Sequence, residues 1–162
     1  STASHSTVEI DRKNSSEVWS GFRVARRAYP FGLHIKEMGG VASVSCAHDG
    51  YKRLTGRPIH HRKWIFSQES ILIEDKVIGR FNSAISRFHF HPETQVVQHS
   101  KDNFKVKLHQ GACYIRVLSG CGVLESSFYS PELGKRLNTK CLSIHFDTNK
   151  KVALEISWEI NE

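Results

Sequence analysis

The sequence predicts an all-β fold, and three observations predict it. Apolar residues recur with period two or as short β-branched and aromatic runs. These runs are bounded by Gly, Asn, Asp and Ser clusters at hairpin-like spacing. No segment carries apolar residues at i, i+3, i+4 and i+7 between helix caps, so little or no helix is expected. About 11–13 short strands are too many for one flat sheet to stay open, which favours a two-layer antiparallel β-sandwich, with a closed barrel second.

The candidate strands are residues 6–10, 20–29, 33–37, 41–47, 60–67, 70–75, 84–91, 94–99, 103–108, 112–118, 122–127, 140–148 and 151–159. Turns fall at Gly39-Gly40, His48-Asp49-Gly50, Ser100-Lys101-Asp102-Asn103, Ser119-Gly120-Cys121-Gly122 and 147–150. In the second strand Arg23 shares a phase with Ala25 and Arg27, and Arg26 shares one with Val24 and Phe22. At least one of these arginines is therefore expected to be buried and paired with an acid such as Glu17 or Asp49, as structural glue. In 84–91, Phe88 and Phe90 claim the core face, leaving Arg87, His89 and His91 as a solvated row. An H-x-H pair on one strand face can bind a metal, but the solvated row is the plainer reading. The last strand places Val152, Leu154, Ile156 and Trp158 on one face and reads as a domain end.

With 162 residues and 39% apolar content, one β-sandwich domain over 1–162 is expected. No apolar run approaches the roughly 18 residues that cross a bilayer as a helix, and the first residues lack a signal-peptide pattern, so no membrane partner is expected. The start at Ser1 without methionine reads as a piece of a longer chain whose export signal would lie upstream. A net charge of +7, with ten histidines besides, suits an acidic polysaccharide, a nucleic acid or an anionic surface, or simply solubility. No RNP-like, KH-like or zinc-finger pattern is present, which leaves nucleic acid a remote alternative. Cys46, Cys113, Cys121 and Cys141 are far apart without C-x-x-C, which argues against a zinc ribbon or thioredoxin-like site; buried free thiols are the commoner outcome for such residues in strands.

Basic residues cluster around Arg23, Arg26 and Arg27, and around Arg57, His60, His61 and Arg62. Guanidinium forks match carboxylate and sulfate bidentately, so these seven residues are the candidate contacts for an acidic sugar, with Trp19, Tyr51 and Trp64 nearby as stacking faces. His48-Asp49 has the residue types of a catalytic dyad, but sequence neighbours in a strand point apart. Asp49-Gly50 is read as a turn and Tyr51 as a packing residue.

Several segments carry a family resemblance. Ser1-Thr2-Ala3-Ser4-His5-Ser6-Thr7-Val8-Glu9-Ile10-Asp11, Ser16-Glu17-Val18-Trp19 and Phe22-Arg23-Val24-Ala25-Arg26-Arg27-Ala28 are followed in order by Ala47-His48-Asp49-Gly50-Tyr51-Lys52-Arg53-Leu54, Arg57-Pro58-Ile59-His60-His61-Arg62, Asp75-Lys76-Val77-Ile78-Gly79 and Arg87-Phe88-His89-Phe90-His91-Pro92. Together they resemble the C-terminal β region of heparinase II/III-like proteins, well over roughly the first 95 residues and only in composition beyond. The resemblance implies a polysaccharide lyase in which a helical toroid joins a β-sandwich and cleaves uronic-acid-containing chains by β-elimination. It places the base and acid on the toroid, with a histidine on an early sandwich strand, so no catalytic residue is expected within this sequence. It also implies a zinc or other divalent metal site in the parent protein, to which His5 corresponds as one ligand, its partners lying upstream. His5 alone falls short of the three or four ligands zinc takes, so the domain by itself is expected to hold no cofactor. The implied partners are an acidic polysaccharide and the upstream helical domain, in a periplasmic setting, and a sheet edge left open invites a homodimer. The rival reading is a non-catalytic acidic-carbohydrate-binding or assembly domain on the same fold.

Overall fold

A computed structural model describes residues 1–20, 23–147 and 151–158. After a 3₁₀ turn at Thr2–Ser4, the described strands are β1 (Val8–Ile10), β2 (Glu17–Trp19), β3 (Arg23–Arg26), β4 (Pro30–Met38), β5 (Val41–His48), β6 (Ile59–Phe66), β7 (Ser70–Ile78), β8 (Ala84–His89), β9 (Gln95–Gln98), β10 (Asn103–Lys107), β11 (Ala112–Ser119), β12 (Cys121–Tyr129), β13 (Leu137–Phe146) and β14 (Lys151–Trp158). A four-stranded sheet, β1-β8-β13-β12, faces an eight-stranded sheet, β4-β5-β6-β7-β14-β11-β10-β9, and β2-β3 forms a separate ribbon. The strand pairings are antiparallel, and the fold is the expected all-β sandwich.

Alternation decides what lies between the layers. Val8 and Ile10 of β1, Ala84 of β8, and Leu142 and Ile144 of β13 meet Ile73 and Val77 of β7, Val152 and Leu154 of β14, and Phe104 and Val106 of β10. Each such side chain taken fully out of water contributes roughly 1.5–3 kcal/mol. The chain passes from the large sheet to the small one at Gly120. Its φ of 98° is left-handed, and a Cβ there would lie 2.5 Å from Ile144 Cγ2, so the crossing requires glycine.

The expected strand over 20–29 is not continuous. The chain reverses at Ser20 (φ 35°), and Arg23–Arg26 folds back on Glu17–Trp19 before Pro30 opens β4. Conversely, β7 runs past the expected end at residue 75 to Ile78, because Val77 continues the buried phase of Ile73. In the last strand Val152 and Leu154 are buried and Ile156 packs on the core, and Ala153 of the opposite phase is buried as well. The turn at 147–150 lies outside the described residues after Asp147, as does residue 159 of the last strand. All four cysteines are free thiols.

The large sheet is wider than the small one, and β4 forms its edge with every residue exposed. Leu33, Ile35 and Met38 are thereby left in water.

Candidate functional site

Two sites gather chemistry-bearing side chains, one between the sheets and one at the end of the small sheet. The first follows from register. Arg62 of β6 lies opposite Asp75 of β7 and Cys46 of β5, and His60 lies opposite His48, so these residues share the inward phase. Asp75, 1% exposed, sits in an otherwise apolar row with Ile73 and Val77. Arg62 grips it with a fork, Nε donating to Oδ1 at 2.7 Å and Nη2 to Oδ2 at 2.8 Å. Ser86 Oγ donates to Oδ2 at 2.5 Å and His60 Nε2 to Oδ1 at 2.7 Å. Arg62 Nη1 donates to the Ser6 carbonyl at 2.7 Å, and its guanidinium lies 5.3 Å from the Phe88 ring centroid.

The hydrogen bonds also fix where the imidazole protons sit. The Gly50 amide donates to His48 Nδ1 at 3.3 Å, so a neutral His48 carries its proton on Nε2. That proton goes to His60 Nδ1 at 3.1 Å, leaving His60 Nε2–H to donate to Asp75. Burial, then the neighbouring His60, hold His48 down at about 4, in keeping with a neutral ring. Burial alone would raise the Asp75 carboxyl, but hydrogen bonds from His60 and Arg62 and the guanidinium charge hold it well below the usual carboxylate range. The result is a bidentate ion pair inside the sandwich, extended through His60 to His48.

The second site is a cleft of about 580 Å³ lined by Ser4, His5, His89, Phe128, Tyr129 and Arg136 among others. His89 holds its floor. Nε2 donates to the Ala3 carbonyl at 3.1 Å and Nδ1 accepts from Ser127 Oγ at 3.2 Å, while its backbone amide donates to Ser6 Oγ at 3.1 Å. Burial lowers the His89 pKa, consistent with a neutral ring serving as one donor and one acceptor. The Arg136 guanidinium carbon lies 3.5 Å from the Phe128 centroid, and His91 meets Tyr129 edge-on at 5.2 Å.

The residues singled out in the sequence are distributed as follows. Arg23, Arg26 and Arg27 are exposed on or beside the β2-β3 ribbon, where Arg26 pairs with Glu17 at 3.2 Å. Arg57 is exposed in the loop before β6. His61 points to the opposite side of the large sheet from His60 and Arg62, and burial, then His60, lower its pKa. His60 is 3% exposed and Arg62 10%, so these two lie within the sandwich and not on the surface with Arg57. His5 is exposed at the cleft rim. Among the described residues no three His, Cys, Asp or Glu side chains converge as a metal requires, and His89 beside it has both nitrogens engaged.

Asp49 Oδ1 accepts the Tyr29 amide at 2.9 Å, a turn role, and Tyr51 is fully buried with its hydroxyl donating to the Val8 carbonyl at 2.8 Å. The expected solvated row is only partly solvated. Arg87 is 14% exposed and pairs with Glu9 at 3.5 Å, and the segment carrying Ala3 lies over His89. Asp75, Ser86, Tyr129 and Arg136 were not anticipated as site residues. An acid in the apolar row Ile71-x-Ile73-x-Asp75-x-Val77 is the signal that could have found the first of them.

Residues 1–159 match the family described as "Heparinase II/III-like, C-terminal". The chain belongs to that family. This heparinase II/III-like domain is similar in structure to the heparinase III BT4657 gene product, with a TM-score of 0.72 at 16% identity over 99% of the chain. It is also similar to a second heparinase III crystal structure, with a TM-score of 0.69 at 12% identity over 97% of the chain. In both cases it spans 24% of the other protein's length. A putative aldose 1-epimerase from Escherichia coli K12 shares the fold at a TM-score of 0.51 and 9% identity, over 91% of this chain and 79% of that one. No curated protein matches the sequence. The family match extends the resemblance beyond the N-terminal segments to nearly the whole chain.

Proposed function

We propose that this domain is the sandwich portion of a polysaccharide lyase that cleaves uronic-acid-containing chains by β-elimination. The reading is carried by the family match over residues 1–159. In such a reaction a base removes the proton next to the uronate carboxylate, an acid protonates the leaving oxygen, and cations stabilise the enolate-like intermediate. The first two roles fall to an upstream helical domain. This domain contributes structure and one side of an acidic-sugar cleft, with the exposed Arg23, Arg26, Arg27 and Arg57 supplying positive charge and the half-buried His61 a polar contact. In this reading His5 gives one ligand to a divalent metal whose other ligands lie on strands upstream of Ser1. The buried His60 and Arg62 support the scaffold that positions these groups.

The test compares the full-length protein with this chain alone on heparan sulfate and other uronate polymers, following the ultraviolet absorbance of the unsaturated product. Product from the full-length protein and none from the chain alone is expected. Elimination by the chain alone would overturn the division of labour. A second reading, a non-catalytic acidic-carbohydrate-binding domain, draws support from the fold shared with a putative epimerase at 9% identity, since a fold does not fix a chemistry. It predicts binding of the polymers without product from either protein.

A further inference from the structure

We propose that the cleft at the end of β8 is a subsite for one carboxylate- or sulfate-bearing sugar residue, with Arg136 as the anion ligand and Tyr129 as the stacking surface. This deepens the proposed function and rests on it for the substrate class. The cleft, about 580 Å³, lies within the range of about 300–1,000 Å³ usual for small-ligand sites.

Charge is the first argument. No Asp or Glu lines the cleft, and no carboxylate among the described residues pairs with Arg136, the arginine that lines it. The acid near it in sequence, Glu132, pairs with Lys135 at 3.1 Å. A guanidinium left without a counter-charge in a concavity calls for an external anion, and a planar fork takes a carboxylate or sulfate through two parallel hydrogen bonds.

Preorganisation is the second. Stacking on Phe128 holds the guanidinium in one plane, so little side-chain entropy remains to be lost on binding. His91 fixes the Tyr129 ring edge-on while leaving the residue 38% exposed, which suits an amphipathic sugar face. His89 spends both ring nitrogens holding the floor, so His5 stands at the rim as a further polar contact.

The test is calorimetric titration of the full-length protein and its Arg136→Ala, Arg136→Lys and Tyr129→Ala variants. The probes are a sulfated uronate hexasaccharide, its desulfated form and a neutral hexasaccharide. Arg136→Ala is expected to weaken both acidic probes, or the sulfated one alone, by about ten- to a hundredfold. Arg136→Lys should recover part of the loss, Tyr129→Ala should weaken binding several-fold, and thermal midpoints should stay near wild type because both side chains are on the surface. Loss only with the sulfated probe assigns the fork to sulfate; loss with both assigns it to carboxylate. Wild-type affinity in Arg136→Ala and Tyr129→Ala overturns the subsite and leaves the proposed function standing. Failure of the wild-type protein to bind either acidic probe overturns both.

Discussion

Replacing Asp75 by alanine is expected to destabilise the domain by about 3–5 kcal/mol, the cost of breaking a buried ion pair from one side. The figure follows from what the carboxylate holds. It accepts two bonds from Arg62 and one each from His60 and Ser86, at 1% exposure. Without it the guanidinium, 10% exposed, keeps the Ser6 carbonyl and the Ser86 hydroxyl but no counter-charge, and His60 loses its acceptor. Asp75→Asn should fall close behind, because one edge of the amide presents donors to donors. Urea unfolding at pH 7 measures the loss, with an unchanged m-value showing that the unfolded state is comparable. A loss below about 1 kcal/mol for Asp75→Ala would refute the claim that this buried carboxylate is a structural anchor of the sandwich. The pH dependence gives a second reading. The folded carboxyl titrates below its unfolded value of about 3.9, so its stabilisation is complete above that pH and is lost as pH falls through the lower folded value. Asp75→Ala should therefore flatten the most acidic limb of the stability curve.

A separate limb belongs to His48. The folded ring titrates at about 4 against 6.5 unfolded, so below pH 6.5 the unfolded chain takes up a proton that the folded one refuses, and stability falls towards pH 4. After discounting for its partial solvation this amounts to about 2 kcal/mol, and His48→Gln should remove that slope in unfolding curves from pH 7 to 4.5. At Gly56 a Cβ would collide with the Arg80 carbonyl, whose own amide donates to the Gly56 carbonyl at 3.0 Å. Gly56→Ala should cost at least about 3 kcal/mol by the same assay. Arg26→Ala should change stability by no more than about 0.5 kcal/mol, because its pair with Glu17 is formed by side chains 67% and 44% exposed.

The layered β fold was legible because alternation survives in nearly every strand, down to Val152, Leu154 and Ile156. The Arg26–Glu17 pairing was legible too, being close in sequence, but the pair lies on the surface and not buried as expected. The β2-β3 ribbon was not, since its reversal at Ser20 uses none of the usual Asn-Gly or Asp-Gly turn pairs. Period two gives the phase of a strand but not which phase faces inward. His60 and Arg62 could thus be read as surface cations until the register with Asp75 turned them into the sandwich. His89 was misplaced for a related reason: its row would be solvated if residues 1–6 did not lie across it. Arg136 stands in the connection between β12 and β13, where no periodicity reports on its surroundings.

Ser6 is gripped twice, its carbonyl by Arg62 from within the sandwich and its hydroxyl by the backbone of His89 from the small sheet. The opening residues thus serve as a keystone and not as a tail. A tug on the polypeptide ahead of them would be felt at the central ion pair before any strand peeled away, and a neighbour joined at that end would be mechanically wired to the middle of the domain.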